Sequence, residues 1–148
     1  MSKKARFELV EFLPYALNQA ADALSLEFQH VYKGRYGMLR TEWRVLFHLG
    51  CYGEMTAKQV CEMGRLHKTK VSRAVAALES KRYLEREEVA NDRRHSVLRL
   101  TKAGQSVFED LEREARAFDA RVRGDMNAQD AQVFQRALLR IAGLSSRD

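Results

Sequence analysis

The chain has 148 residues, of which 45% are hydrophobic and 31% are charged, which suits one compact domain and is too polar for a membrane protein. It holds no run of about eighteen apolar residues, and its start lacks the unbroken apolar core of a signal peptide, so we expect a cytoplasmic protein without membrane association. One proline and eight glycines leave little room for the turns of an all-β fold, so the chain should be mainly helical.

Basic residues concentrate in one part of the chain. Between Arg65 and Lys102 there are eleven Lys/Arg and five Asp/Glu, and this excess equals the net charge of +6 of the whole chain. A local basic excess indicates a surface that binds a polyanion, because lysines and arginines opposite phosphates release condensed counterions. An ordinary solvated surface is the alternative.

The first part of the chain predicts two helices. Pro14 suits the first turn of a helix. Apolar residues follow it at helical spacing, namely Leu17, Ala21, Leu24, Phe28 and Val31. We expect Gly34 and Gly37 to break this long amphipathic helix. A short buried helix over 43–49 should come next, with Thr41 as its cap.

Two more short helices and a hairpin follow. Thr56 and Gln59 have the spacing of a capping box at the start of a third helix. A fourth helix over 67–81 carries valines and a leucine on one face and polar residues on the other. Strand-like runs flank the polar segment 90–94, at 83–89 and 95–100, and predict a β-hairpin with a polar tip.

The end of the chain predicts two amphipathic helices, one opened by Thr101 and one following Asn127. With the first helix they flank a central region small enough to fold by itself, and each keeps an apolar side. We therefore expect a single domain over 1–148 in which segments 14–33 and 104–145 form a homodimer around a winged domain at 38–102. The alternative is that these helices pack only on their own central domain.

Three short helices followed by a two-stranded hairpin is the order of a winged helix-turn-helix, so we expect a mainly α fold with a small β-hairpin wing. The basic residues fall on its third helix and its hairpin. A helix fits the major groove of DNA with its first turns against base edges. The polar residues at this helix start are Lys68, Thr69, Lys70, Ser72 and Arg73. We expect Arg73 to bind a guanine, and Lys70 and Ser72 to contact phosphates. At the hairpin tip, Arg93 and Arg94 can reach a minor groove, with Asp92 holding one of them in place.

Several short motifs match one known family. They are Thr69-Lys-Val-Ser-Arg73 and Leu78-Glu79 in the third helix, Asp92-Arg-Arg94 with Leu98, Leu100-Thr101 and Gly104 in and after the hairpin, and Phe12-Leu-Pro-Tyr15 through Val31 at the start. These segments resemble the MarR family of bacterial transcriptional regulators. The resemblance implies a homodimeric repressor whose first, fifth and sixth helices interlock, and whose two winged lobes read half-sites of a pseudopalindromic double-stranded DNA operator. It also implies that Arg94 is the minor-groove arginine of the wing and Asp92 its salt-bridge partner.

Two positions depart from the family pattern. Such proteins often have glycine after the recognition helix, where this chain has Arg82. If the backbone there is left-handed, arginine costs about 1 kcal/mol relative to glycine, so Arg82→Gly should not lower the melting temperature. His67 stands at the helix start, where a short acidic or hydroxyl cap is expected.

By the same resemblance, many such regulators release DNA when they hold an aromatic acid or another small amphiphile between the dimer helices and the winged lobe. The candidate lining residues are Tyr15, Phe28, Tyr32, Trp43, Phe47 and Phe108, with Arg40, Arg44 and His48 as carboxylate anchors. The alternative is that these aromatic residues form an ordinary hydrophobic core.

Other functions are less well supported by the sequence. A thiol-based redox regulator through Cys51 or Cys61 is one alternative, although we expect both cysteines to be buried and inert. A winged helix that binds a protein partner without DNA is another, but it would not need a basic recognition face. The chain has no G-x-S-x-G, H-E-x-x-H or glycine-rich phosphate loop, and its four histidines form no H-x-x-x-H pair. We therefore expect no enzyme activity, no metal and no cofactor.

Overall fold

The computed structural model of the chain describes residues 4–89 and 92–144, and the side chains of residues 89 and 92–95 lie outside the described part. Within these ranges the chain forms six α-helices and three short strands. In chain order, a 3₁₀ turn at Leu9–Glu11 precedes α1 (Leu13–Tyr36), α2 (Arg40–Tyr52), β1 (Met55–Thr56), α3 (Ala57–Gly64), α4 (Lys68–Ser80), β2 (Leu84–Val89), β3 (Asp92–Leu100), α5 (Lys102–Gly124) and α6 (Ala128–Ala142). The predicted fold class, mainly α with a small β-hairpin wing, is confirmed.

The chain divides into two compact units, Met1–Glu109 and Asp110–Asp148. The boundary falls inside α5. The first unit contains the helices, the sheet and the basic segment from which the candidate site is built, and the second contains the rest of α5 and α6.

The ends of the first two helices differ in part from the prediction. Gly37 ends α1 in the left-handed conformation with φ 63°, as expected, but Gly34 lies inside this helix, so the break predicted there is wrong. A single glycine costs a helix only about 1 kcal/mol, which a long packed helix tolerates. The cap predicted at Thr41 is also wrong, because α2 begins at Arg40 and Thr41 therefore lies inside the helix. The Glu42 carboxylate instead accepts a hydrogen bond from the backbone N–H of Leu39.

The caps of the next two helices follow the sequence closely. The capping box of α3 is confirmed: the N–H of Thr56 donates to Gln59 Oε1 at 2.9 Å, and the N–H of Gln59 donates to Thr56 Oγ at 3.1 Å. His67 caps α4, since its Nδ1 accepts the N–H of Thr69 at 3.2 Å. Arg82, which follows α4, has φ 64°, so the left-handed backbone suspected there is confirmed.

The strands form one antiparallel sheet in the order β1-β3-β2. Met55 pairs with Leu98, so β1 adds a short third strand to the hairpin. The sequence did not predict β1, because two residues are too few to show an alternating pattern. β3 begins at Asp92, so residues 92–94 of the predicted polar tip belong to the strand, and residues 90 and 91 of that tip lie outside the described part of the chain.

The core of the first unit fixes which face of α4 meets solvent. This helix buries Val71, Ala74, Val75 and Leu78, each at most 3% exposed, and it packs against α2, α3 and β2. Burial of this apolar face supplies most of what holds a short helix in place. The opposite, polar face of α4 is therefore exposed to solvent.

Candidate nucleic-acid interface

The outward face of α4 carries the residues predicted to contact DNA. Lys68, Thr69, Lys70, Ser72 and Arg73 are all exposed, whereas the valines and the leucine of the same helix are buried. The structure therefore presents these five side chains together on the first two turns of one helix. Three of them are cations, and three cations over two exposed turns make a surface suited to phosphates and base edges.

The start of α4 is held by a tight connection to α3. Arg65 ends α3 in the left-handed conformation with φ 51°, and the N–H of Leu66 donates to Cys61 O at 3.0 Å. His67 then caps the first turn of α4. The two helices thus form the helix-turn-helix pair that the sequence order predicts.

The end of α4 is tied to α1 and α2 by one lysine. Lys81 Nζ donates to Tyr36 O at 3.3 Å and to Gly37 O at 3.1 Å, and lies 3.7 Å from Glu42 Oε1. Glu42 is only 5% exposed and is the buried acidic residue of this core. The lysine satisfies carbonyls at the end of α1 and compensates a buried carboxylate, so it fixes α4 relative to both neighbouring helices.

The base of the wing is held by one arginine. Arg99 on β3 contacts the carboxylate of Glu87 on β2, and its Nε lies 3.5 Å from Glu54 Oε1, next to β1. The Thr101 hydroxyl donates to Arg82 O at 2.6 Å and accepts the N–H of Gly104 at 3.0 Å, which joins the sheet to α5. The side chains of the three wing-tip residues predicted to contact DNA, Asp92, Arg93 and Arg94, lie outside the described part of the chain.

The aromatic residues proposed as ligand-lining form a connected cluster. Neighbouring ring centroids are 5.0 to 5.8 Å apart along the series Phe28, Tyr32, Trp43, Phe47 and Phe108. Burial raises the pKa of Tyr32, and the positive charge of Arg40 opposes this rise. Trp43 Nε1 is buried and has no hydrogen-bond partner among the described residues. Tyr15 is half-buried on α1 and is not among the described ring contacts.

The three proposed carboxylate anchors lie one turn apart on α2. Arg44 Nη2 donates to Gly64 O at 2.7 Å, and His48 Nδ1 donates to Arg44 O at 2.7 Å, so both side chains are engaged with backbone carbonyls. Burial, and then the charge of Arg40, lower the pKa of Arg44. Arg40 lies 3.6 Å from Asp22 and is also close enough to Tyr32 for its charge to affect the pKa of this tyrosine of the aromatic cluster.

The two cysteines differ from the expectation. Both are free thiols, but Cys51 is exposed and Cys61 is only partly buried, so the prediction that both are buried is wrong for Cys51 and only partly met by Cys61. Cys51 lies in the last turn of α2, where the helix leaves the core. Among the described residues no group of three or more His, Cys, Asp or Glu could hold a metal ion, and no described helix is long and apolar enough to cross a membrane.

Sequence reasoning missed two features of this region. Glu42 stands three residues after Leu39, the spacing of a capping residue, which was a usable signal for the start of α2. The contact of Lys81 with α1 and Glu42 had no local signal, because its partners are distant in the sequence.

A helix-turn-helix with an outward basic face, followed by a three-stranded wing, defines the winged helix-turn-helix class of proteins. A family model described as the MarR family matches residues 36–95. The chain is 25% identical to a MarR family transcriptional regulator from Silicibacter pomeroyi, with a TM-score of 0.77 and coverage of 90% of this chain and 89% of that one. It is 25% identical to a MarR/EmrR family regulator from Acinetobacter sp. ADP1, with a TM-score of 0.79 and coverage of 93% and 96%.

A curated relative agrees with these matches. The chain is 24% identical over 99 residues to the uncharacterized HTH-type transcriptional regulator YwoH of Bacillus subtilis, over 67% of this chain and 72% of that protein. These matches make the chain similar to the MarR family of winged helix-turn-helix transcriptional regulators, whose family model covers residues 36–95.

Two further solved structures share the fold at lower identity. One is NadR in complex with 4-hydroxyphenylacetate, 18% identical with a TM-score of 0.74 over 96% of this chain and 98% of that one. The other is BpsR of Bordetella bronchiseptica, whose DNA binding is regulated by 6-hydroxynicotinic acid; it is 19% identical, with a TM-score of 0.79 over 96% and 100%.

Proposed function

We propose that the protein is a homodimeric, cytoplasmic repressor that binds a pseudopalindromic operator in double-stranded DNA and is released by a small aromatic acid. The observation that carries the DNA-binding part is the division of α4 into a buried apolar face and an exposed polar face with three cations. A helix held rigidly by one face can enter a major groove with the other. A module that binds only proteins would have no use for this concentration of positive charge.

The dimer is proposed from apolar surface that the single chain leaves exposed. In the 3₁₀ turn and α1 these residues include Val10, Leu13 and Leu26, each at least 63% exposed. On α6 and just after it, Val133, Phe134, Ile141 and Leu144 are 48–63% exposed. Apolar side chains in such number mark interaction surfaces, and a second copy of the chain covers them symmetrically. Sedimentation should give twice the chain mass of 17.1 kDa; a monomer at micromolar concentration would refute the dimer.

The DNA-binding proposal can be tested without knowing the operator. Purified protein is mixed with genomic fragments at several salt concentrations, and the fragments retained at the highest salt are sequenced. We expect a retained palindromic site and a steep fall of affinity with salt. Sequence-blind, salt-insensitive retention would instead favour a protein-binding winged helix.

Two arginine variants test the assignment of readout on that site. Arg73→Ala should weaken operator binding by about 1–3 kcal/mol and relax the preference for one base. Arg94→Ala should weaken binding and reduce its salt dependence while leaving the dimer intact. Arg113→Ala is the matched control, because Arg113 is a 73% exposed arginine that pairs with Asp110 on the surface of α5. Wild-type binding by Arg94→Ala would show that the wing assignment is wrong.

The effector proposal is supported by the aromatic cluster and its free donor. Trp43 Nε1 is a buried hydrogen-bond donor without a described partner, and a buried donor left unpaired costs about 1–3 kcal/mol. A ring placed beside Trp43 and Phe47 with an oxygen at Nε1 would remove this cost. Arg40 can supply the charge for a carboxylate. NadR and BpsR, which share the fold, are known with 4-hydroxyphenylacetate and 6-hydroxynicotinic acid, both aromatic acids.

The single tryptophan of the chain makes this proposal simple to test. Titration with 4-hydroxyphenylacetate or 6-hydroxynicotinate should change the Trp43 fluorescence saturably and weaken DNA binding. The neutral alcohol 4-hydroxyphenylethanol is the control, and it should do neither if Arg40 holds the carboxylate. Arg40→Gln should abolish the difference between acid and alcohol. Equal responses to acid and alcohol in the wild type would refute the role of Arg40.

A further inference from the structure

A basic cleft of about 380 Å³ lies at the start of α4, between α2 and the α3–α4 turn. We call it the basic cleft; its polar lining residues are Arg40, Thr41, Arg44, Arg65, His67 and Lys70. None of the described residues that line it is acidic. Several cations around a concave surface without a carboxylate among them create a strong positive potential, which favours an anion there.

Arg44 is a constrained lining residue of the basic cleft. It is half-buried, and its Nη2 donates to Gly64 O at 2.7 Å, so its guanidinium is held in place by a backbone carbonyl. Arg40 is near enough to lower the pKa of Arg44, and Arg40 has its own exposed partner, Asp22, at 3.6 Å. Two like charges held together at a partly buried site repel each other, and a bound anion would relieve the repulsion.

Arg65 occupies a backbone position that favours glycine. Its φ of 51° is in the left-handed region, where a side chain costs about 1 kcal/mol or more relative to glycine. The arginine at this strained position is one of the residues that line the basic cleft. Strained backbone at non-glycine residues is found preferentially where a side chain has a functional role. Arg82 has the same strain, with φ 64°, but does not line the cleft.

The basic cleft is continuous with the proposed DNA-reading face. Arg40 and Lys70 also line a neighbouring depression of about 350 Å³ that reaches Arg73. A helix that inserts its first turns into a major groove brings the phosphates at the groove edge to the same end of the helix. We propose that the basic cleft binds a phosphate group of the DNA backbone, one in each protomer, with Arg44, Arg65 and Lys70 as its contacts. This inference rests on the proposed DNA-binding function.

The test compares two substitutions that have the same effect on the backbone. Arg65→Gly and Arg82→Gly each relieve one left-handed arginine, but only the first removes a cation from the basic cleft. Affinity for a random-sequence duplex is measured at several salt concentrations, because a phosphate contact does not depend on sequence. Arg65→Gly should lower the slope of log K against log salt by about 0.9 per phosphate, or about 1.8 per dimer, and weaken binding about tenfold near 0.15 M salt.

Arg82→Gly should leave the slope and the affinity at their wild-type values. Arg65→Lys keeps the charge and should restore most of the slope. Melting curves of all three variants verify that each is folded at the assay temperature. Equal slopes for the wild type, Arg65→Gly and Arg82→Gly would overturn the phosphate assignment while leaving the proposed DNA-binding function standing.

A calorimetric titration with inorganic pyrophosphate separates the two possible sources of the phosphate. If pyrophosphate binds the wild type but not Arg65→Gly, and the duplex slope is lower in Arg65→Gly, both results support the proposal. If pyrophosphate binding depends on Arg65 but the duplex slope does not, the cleft holds a free anion and the DNA assignment is overturned. If the wild type binds no duplex in a salt-dependent way, the proposed function fails and the DNA assignment with it.

Discussion

The contact of Lys81 with two neighbouring helices should decide how firmly α4 is held. Lys81→Met keeps the length and the apolar stem of the side chain but removes the ammonium group. It deletes two hydrogen bonds, at 3.3 and 3.1 Å, to the carbonyls of Tyr36 and Gly37. It also leaves the carboxylate of Glu42, whose side chain is 7% exposed, without its cation.

The size of the effect can be worked from these contacts. A hydrogen bond from a charged donor contributes about 1.5–3 kcal/mol when buried. The Lys81 side chain is 30% exposed, so water replaces part of each bond. We therefore assign about 1 kcal/mol to the two carbonyl bonds together and about 1–2 kcal/mol to the uncompensated Glu42. The free energy of unfolding should fall by about 2–3 kcal/mol, and the melting temperature by about 5–10 °C for a chain of this size.

The assay is thermal and urea unfolding of the wild type, Lys81→Met, Glu42→Gln and the double variant. Glu42→Gln keeps an oxygen that can accept the N–H of Leu39, so the cycle isolates the charge pair, for which we expect a coupling of about 1 kcal/mol. Lys58→Met, at an exposed lysine of α3, is the control and should change the melting temperature by less than about 2 °C. A Lys81→Met protein that melts with the wild type, together with zero coupling, would refute this account of how α4 is anchored.

Three further predictions concern the backbone and the chain end. Gly104→Ala should destabilise the protein by about 2–4 kcal/mol, because the added Cβ would lie 1.8 Å from Tyr83 O. Gly34→Ala adds a Cβ that meets nothing within 4 Å in a helix, so it should stabilise the protein by about 0.5–1 kcal/mol. Melting curves that rank the two alanine variants the other way would contradict the close packing of α5 on Tyr83. Arg82→Gly should raise the melting temperature by about 2–4 °C, and a fall of several degrees would show that its side chain contributes more than its left-handed backbone costs. Truncation after Val122 removes α6 and should expose the apolar surface that the helices cover in the proposed dimer, which should give aggregated or unfolded protein. A soluble, folded monomer in gel filtration would argue against the dimer.

Much of the fold could be predicted because its signals are local. The capping box of Thr56, the start of α6 at Asn127 and the glycine at the end of α1 are each specified within one helical turn, and the structure has all three. The left-handed Arg82 was anticipated from the residue type that usually stands there. The errors at Gly34 and Thr41 arose where a weak local preference competed with a longer helix.

The candidate site was predicted less completely. The exposed face of α4 follows directly from helical spacing, since buried and exposed residues alternate with the helix period. The residues predicted to line a ligand site include two groups on α2 that make different contacts in the structure. The rings of Trp43 and Phe47 join the aromatic cluster, whereas Arg44 binds a backbone carbonyl and lines the basic cleft.

The sequence by itself determined the order of the six helices and the hairpin, the caps of α3 and α6, and the concentration of positive charge on α4 and the hairpin. These depend on spacing within a few residues, which periodicity and capping chemistry reveal. Only the tertiary structure decided that Lys81 meets Glu42, that Trp43 Nε1 is buried without a described partner, and that Arg44 and Arg65 share one cleft. Such contacts join residues that are distant along the chain, and packing of the whole core, rather than any local preference, brings them together.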